Sequence, residues 1–438
     1  MDRPINIGLC GLGTVGGGVA DLLRKNRRLI EERIGGDIRI AKVLEQVPER
    51  LADRDFEPNQ ISTSLDSVLD DPNIDIVIEL IGGTSPAKEI ILTALQNGKS
   101  VVTANKALLA THAGEIFSAA YRAKGHFGYE ASVGGGIPVI RNLRDGFAGD
   151  DISEVSGIIN GTANYILSSM AEKGETFESA LREAQELGYA EADPTFDIEG
   201  TDTAHKVAIL LSLAFNGLFD FNQIHVEGIT NIEPIDIKIA KEMGFAIKLV
   251  GKAIRSERGY EGRVHPALIG NDNLLASVDG AFNALLIKGN FVGPTISYGA
   301  GAGAHPTASA VVGDIVEIGR SLVANGGHNA HPLSCTNETL VEKDLIPIGQ
   351  IRSEYYLRFS LLDRAGVLAE ITRVLGNNDI SIRSMIQRAE NGNSGRPVPV
   401  VIFTHEAVEN NVRNALREID RMPFVLQPTK TIRIDSVC

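Results

Sequence analysis

Cysteine is scarce: three residues, Cys10, Cys335 and Cys438, are spread through 438 positions. An odd number so far apart offers neither a disulfide framework nor the paired spacing of a zinc site. Positive charge is also short, since 42 Lys and Arg against 56 Asp and Glu leave a formal net charge of -14. That balance argues against a nucleic-acid or anionic-membrane partner, although it says nothing about fold. No apolar run reaches bilayer-spanning length, and the opening MDRPINIGLCGLG enters a strand without a secretion-signal pattern. A soluble cytoplasmic protein is the expectation.

What is present is an ordinary globular composition, 43% hydrophobic and 22% charged. The length exceeds one compact core, so two or three domains are expected. Ile5 to Leu9 reads as a strand, and GLGTVGGGVADLL follows it at once. Gly11, Gly13 and Gly16 form a G-x-G-x-x-G fingerprint placed where strand gives way to helix. Such glycines serve a tight turn, close approach of backbone to a pyrophosphate, and close helix–sheet packing. With Leu12, Thr14 and Val15 between them, they are the candidate cofactor loop. The next strand, IRIAKVLEQ, ends near Glu45, where an acidic side chain would take the ribose hydroxyls of NAD and disfavour the 2′-phosphate of NADP. Arg50 follows and could still reach a phosphate. A solvated loop glutamate is the competing reading; the acidic residue favours NAD.

IDIVIEL is a continuous apolar run, as in a strand buried on both faces of a parallel sheet. The loops after it and after the strand in KSVVTANKALLA put Thr84, Asn105 and Lys106 at the carboxyl edge of that sheet, where ligands bind. In YEASVGGGIPVI a strand breaks into three glycines and a proline. Free carbonyls there, with Glu130 nearby, would suit a hard cation, while a domain-crossing hinge explains the glycines equally. From about Asp151 the pattern changes into a second domain. Its centre is GYAEADPTFDIEGTDTAHK, Gly188 to Lys206, with carboxylates at Glu191, Asp193, Asp197, Glu199 and Asp202, and Glu186 just ahead. The part before Gly200 reads as a loop, and Thr201 reads as the N-cap of a helix through TAHKVAILLSLAF. Asp202 and Lys206, four apart, project from one helical face. The plain reading is a solvated acidic loop with a surface ion pair. The sharper one is a pocket whose carboxylates hold a cationic substrate group while Lys206 exchanges a proton with a reacting oxygen. Further on, Gly299, Gly301 and Gly303 form another glycine-rich turn, and the helix after it could pack back on the first domain and put Gly303 beside the cofactor. Residues 324–354 lack periodicity and read as a linker, before a βαββαβ order of ferredoxin-like type.

GLGTVG, VVTANKALLA, YEASVGGGIPVI and the Gly188–Lys206 stretch together resemble homoserine dehydrogenase over about Ile5 to Leu322, with an ACT domain over about Tyr355 to Ile434. The resemblance implies an α/β fold in three parts. These are a Rossmann-type dinucleotide-binding domain (1–135, completed by a 304–322 helix), an α+β substrate-binding and dimerisation domain (136–303), and, after a linker (323–354), the ferredoxin-like ACT domain (355–434). It implies NAD(P)-dependent interconversion of L-homoserine and L-aspartate 4-semialdehyde within threonine, methionine and isoleucine biosynthesis. It assigns the proton transfer to Lys206 with Asp202 in support, the substrate's amino group to Glu191 with Asp197 among the neighbouring carboxylates, and contacts to cofactor and substrate to Lys106. Gly11 to Gly16, Thr84 and Gly303 would line the cofactor. A sodium-type or potassium-type cation would sit on Glu130 and the carbonyls of Val133, Gly135 and Ile137. Where many members carry a basic residue after the second strand, Glu45 and Gln46 stand here. The ACT domain implies at least a dimer and an amino-acid effector, threonine, received at the turn from Asp363 to Gly366 with Asn377 and Asn378 beside it. Two rival readings are another ACT-containing dehydrogenase of the 3-phosphoglycerate type and a non-enzymatic amino-acid sensor. The first has its fingerprint in mid-chain and a histidine–glutamate pair; the second would not need Asp202 and Lys206.

Overall fold

A computed structural model describes residues 3–52, 54–324, 331–387 and 397–435. Cys438, residues 325–330 of the expected linker and the end of the ISIRSMIQRA strand lie outside them. The first unit is a six-stranded parallel sheet in the order Ile61–Ser62, Ile38–Leu44, Ile5–Cys10, Ile76–Glu79, Ser100–Thr103, Phe127–Gly128. This is the strand order of doubly wound dinucleotide folds, and it reverses between Ile5–Cys10 and Ile76–Glu79, where such folds bind ligand. Both strands are buried at every position, which explains their unbroken apolar runs. The helix Ala304–Val323 returns to this sheet, and its Ala308, Val311, Ile315 and Ile318 share a core with Ile5, Ile7, Leu9 and Val19.

The second sheet has eleven strands. Two short strands lie off its main path, His225–Val226 beside Gly259–Gly270 and Ala407–Val408 beside Arg352–Leu362; from one edge the path runs Gly293–Ala300, Phe282–Gly289, Ile152–Ile158, Phe245–Ser256, Gly259–Gly270, Val425–Asp435, Arg352–Leu362, Pro397–Thr404 and Ile382–Gln387. The last four are the ferredoxin-like unit, so the C-terminal sheet is not a separate body. Its Val425–Asp435 strand pairs in parallel with Gly259–Gly270, Ala267 opposite Arg433 and Ile269 opposite Asp435. One face of this unit buries Tyr355, Phe359, Ile371 and Val412 beneath its own helices, Val367–Asn377 and Glu409–Ile419. The other face puts Tyr356, Val401, Phe403, Ile432 and Ile434 into the core of the middle domain, with the Phe403 ring 6.1 Å from that of Phe245. Ion pairs seal the junction. Arg358 binds Asp236 at 2.6 Å, Arg433 binds Glu227 at 2.7 Å, and Lys252 binds Asp435 at 2.6 Å.

The expected linker is different from a free connector in its described part. Leu333, Leu345 and Ile351 are buried, Val341–Glu342 pairs with Gly217–Leu218, and Tyr121 donates to the Cys335 carbonyl at 2.7 Å. A strap held by single contacts has no face that repeats, which is why its sequence carries no periodicity.

Candidate active site

The Thr201–Phe215 helix lies inside the middle domain and is buried along nearly its whole length. Gly200, not Thr201, is its N-cap. At φ 85° Gly200 takes the left-handed conformation that turns the chain out of the short Thr195–Ile198 helix, leaving Thr201 as the first helical residue. Asp202 and Lys206 therefore start one turn apart on a buried face, with only 4% and 7% of their surface exposed. Lys206 Nζ donates to Asp202 Oδ2 at 2.7 Å and to the Ile159 carbonyl at 2.6 Å. Lys106, the first residue of the helix Lys106–Thr111, places its Nζ 2.9 Å from Asp202 Oδ1. Asp202 thus presents one oxygen to each lysine. Burial alone would raise its carboxyl, but Lys206 and Lys106 hold it below the ordinary carboxylate range. Burial lowers the Lys206 ammonium from its ordinary value; Lys106 adds to the fall and Asp202 opposes it. Burial works the same way on Lys106, but there Asp202 prevails and keeps the proton on.

The acidic loop divides by partner. Asp193 accepts from the Thr195 amide and hydroxyl, and Glu199 from the Thr230 hydroxyl at 3.1 Å, so these two fold the loop. Glu186 and Glu191 are exposed, and the fields of Glu191 and Asp197 reach Lys106. Asp197 accepts at 2.7 Å from Asn160, whose side-chain amide also reaches Asp202 at 3.0 Å. The sequence reading did not single out Asn160. An asparagine before the helical pattern of GTANYIL signals an N-cap, but nothing local announces its two distant carboxylates.

The glycine loop fits a dinucleotide by the room it leaves. A Cβ on Gly11, which has φ 93°, would meet the Leu80 carbonyl at 2.7 Å, and one on Gly16 would meet the Gly11 carbonyl at 2.0 Å. A Cβ on Gly13 would meet only Arg50 Nη1, at 4.0 Å. Gly13 caps the Thr14–Lys25 helix with no side-chain acceptor, so its free first-turn amides can receive a phosphate. Thr84 caps the next crevice helix, Ser85–Gln96, after two left-handed glycines whose Cβ positions face open space; Asn105 ties this loop down through the Gly83 carbonyl at 2.7 Å. Gly303, φ 114°, caps the Ala304–Val323 helix, whose first carbonyl abuts Gly18 of the fingerprint helix.

Glu45, expected to take the ribose hydroxyls, has both carboxylate oxygens engaged by its own chain. Its Oε2 accepts from the Leu12 amide at 2.7 Å, and its Oε1 from the Gln46 and Val47 amides at 2.9 Å each. The carboxylate binds the end of its own strand to the glycine loop. Arg50, 3.4 Å away and 49% exposed at its side chain, places its guanidinium near Gly13 of the loop.

Around Glu130 the oxygens converge with less freedom than the sequence implied. Its carboxylate accepts from the Ile140 and Arg141 amides at 2.8 Å each, and the Ile137 carbonyl already accepts from Val139. Burial raises the Glu130 carboxyl and, with Glu130's help, pushes Asp314 beside it up to about 7. Among the described residues no group of three or more His, Cys, Asp or Glu could hold a metal. A cation here would therefore be met mainly by backbone carbonyls. In the C-terminal unit Gly366, φ 89°, caps the Val367–Asn377 helix beside exposed Asp363, while Asn378 donates to the Val374 carbonyl at 3.0 Å and closes that helix.

Comparison with known proteins agrees with this geometry. Residues 11–130 match the homoserine dehydrogenase NAD-binding domain, 138–316 the homoserine dehydrogenase domain, and 355–421 the ACT domain. The homoserine dehydrogenase of Pseudomonas aeruginosa is 43% identical over 436 residues, 99% of this chain and 100% of that one. A crystal structure of homoserine dehydrogenase from Thiobacillus denitrificans superposes with a TM-score of 0.92 at 45% identity, covering 99% of this chain and 98% of that one. A hyperthermophilic archaeal homoserine dehydrogenase in complex with NADPH has a TM-score of 0.62 at 25% identity, covering 72% of this chain and 98% of the other. No helix among the described residues is long and apolar enough to cross a membrane. The chain belongs to the homoserine dehydrogenase family, NAD(P)-dependent oxidoreductases acting on a CH–OH group, and carries an ACT domain at its C-terminal end.

Proposed function

We propose that Lys206 is the group that exchanges a proton with the substrate's oxygen, and one observation supports it above others: a buried lysine whose ammonium rests on Asp202 and the Ile159 carbonyl while Lys106 crowds it. Neutral Lys206 accepts the hydroxyl proton of homoserine; in the reverse direction its ammonium donates to the aldehyde oxygen of aspartate 4-semialdehyde. A nicotinamide, when bound, would supply or take the hydride. Lys106, fixed as an ammonium, polarises the same oxygen and meets the cofactor edge. Glu191, open to solvent, and Asp197 receive the substrate's ammonium. The rival dehydrogenase class lacks this carboxylate–lysine pair, and a sensor would have no use for it.

For the cofactor, buried Glu45 with three amides on its oxygens presents little charge to repel a 2′-phosphate, and Arg50 stands ready to receive one. Aspartate 4-semialdehyde assayed with both reduced cofactors is therefore expected to give a kcat/KM for NADPH about 10–100-fold above that for NADH, the scale of one charge-assisted contact. A clear preference for NADH returns the ribose role to Glu45; no turnover with either cofactor removes the reading of the whole site.

Threonine is the proposed effector, received at the start of the Val367–Asn377 helix, in a cytoplasmic enzyme of at least two copies joined through the ACT domains. The Ile382–Gln387 strand ends the long sheet and, among the described residues, has no partner on its outer side. A monovalent cation, sodium or potassium, would be held at Glu130 with the carbonyls of Val133, Gly135 and Ile137. Millimolar threonine is expected to inhibit and to raise the melting temperature; a 100-fold effect corresponds to about 2.7 kcal/mol of coupling. Gly366→Asp, strained at positive φ, should weaken that response. If threonine changes neither rate nor melting temperature, the ACT domain serves assembly alone.

A further inference from the structure

The turn between the strand Ile152–Ile158 and the helix Gly161–Lys173 grips both members of the proton-transfer pair. Ile159 offers its carbonyl to Lys206 at 2.6 Å, and the next residue, Asn160, aims its side chain at Asp202. Asn160 is 3% exposed. Its Oδ1 accepts from the Ala163 amide at 2.7 Å, which fixes the orientation of the side-chain amide. A flipped amide would point its carbonyl at two carboxylates and its NH₂ at an N–H. The NH₂ group therefore serves Asp197 Oδ1 at 2.7 Å and Asp202 Oδ2 at 3.0 Å together. Asp202 Oδ2 is the oxygen that also accepts from Lys206.

We propose that Asn160 is a positioning residue for the Lys206 proton, holding Asp202 so that one carboxylate oxygen meets each lysine and drawing charge from the oxygen that faces Lys206. The charged and titratable groups around Lys206 are Asp202 and His205 on its own helix, Lys106 from the neighbouring one, and Asp197 from the acidic loop. Without the Asn160 donors, Asp202 keeps more negative charge toward Lys206 and binds its proton more tightly. The pH limb that belongs to Lys206 then moves upward in both directions of the reaction. A helix cap alone would not produce that shift.

The proposal rests on Lys206 as the proton-transfer group, so Asn160→Ser and Lys206→Ala are measured side by side in the full chain. Serine caps a helix about as well as asparagine but is too short to reach both carboxylates. Asn160→Ser is expected to lower kcat about 10-fold or more, the scale of a hydrogen bond to a charged group, and to leave KM for the cofactor and the melting temperature near their original values. The Lys206 limb should rise by roughly half a unit or more. Asn160→Asp, which keeps the cap but puts a third carboxylate in place of the donors, should cost more. An unchanged kcat and limb in Asn160→Ser overturns the proposal, as does a lower kcat that follows a lower melting temperature with the limb unmoved. Full turnover in Lys206→Ala overturns the reading of Lys206 itself, and this proposal with it. Inactive Lys206→Ala beside an undisturbed Asn160→Ser overturns this proposal only.

Discussion

Lys206→Ala is expected to lower kcat by ~10²-fold or more in both directions, the usual scale for removing a general acid or base. The fold should survive, because Asp202 keeps Lys106 at 2.9 Å and Asn160 at 3.0 Å. That matters, since a buried carboxylate left with no partner would itself destabilise the protein by ~3–5 kcal/mol. The pH dependence has a definite sign. Oxidation of homoserine needs neutral Lys206, so its kcat should rise with pH through the lowered ammonium value, while aldehyde reduction needs the ammonium and should fall through the same limb. Asp202 does not confuse the measurement. Its folded-state carboxyl titrates below the unfolded value, so its contribution to stability is complete above about pH 4 and is lost only as pH falls through the lowered value. Near-normal turnover of Lys206→Ala at saturating substrate would remove the assignment.

Residue spacing made part of this site legible. The glycine fingerprint could be read because each glycine answers a local demand, and Asp202 and Lys206 because a four-residue step on a helix always brings side chains together. The contacts that complete the site are not of this kind. Lys106 reaches Asp202 across two domains, and Lys206 rests on a backbone carbonyl from another strand's end. A carbonyl is the same in every residue, so no sequence pattern marks it. Glu45 shows a subtler loss. Its position at the end of its strand was readable, but not that three backbone amides would engage its oxygens. The βαββαβ element order of the ferredoxin-like unit was readable from the alternation of its elements. Its pairing with the middle domain was not, because an edge strand's second partner depends on the backbone beside it and leaves no mark on the side-chain pattern.

That pairing changes what truncation should do. If the ACT domain were a separate body behind a free linker, a chain ending at Leu322 would keep its activity and lose only its regulation. The continuous sheet predicts an insoluble or aggregated product instead. Removing the C-terminal part strips Tyr356, Val401, Phe403, Ile432 and Ile434 from the core they share with Phe245. At about 1.5–3 kcal/mol for each large apolar side chain, that loss is comparable with the ~5–15 kcal/mol stabilising a whole domain. It also frees the backbone edge from Ala267 to Ile269, a ready template for pairing with another chain. Asp236, 1% exposed in the intact chain, would lose both Arg358 and the Tyr356 hydroxyl. The comparison is a sedimentation and activity measurement on the full chain and on residues 1–322. A soluble, monodisperse 1–322 chain with full kcat and an unchanged melting temperature would show that the shared core contributes little, and that the two parts fold independently after all.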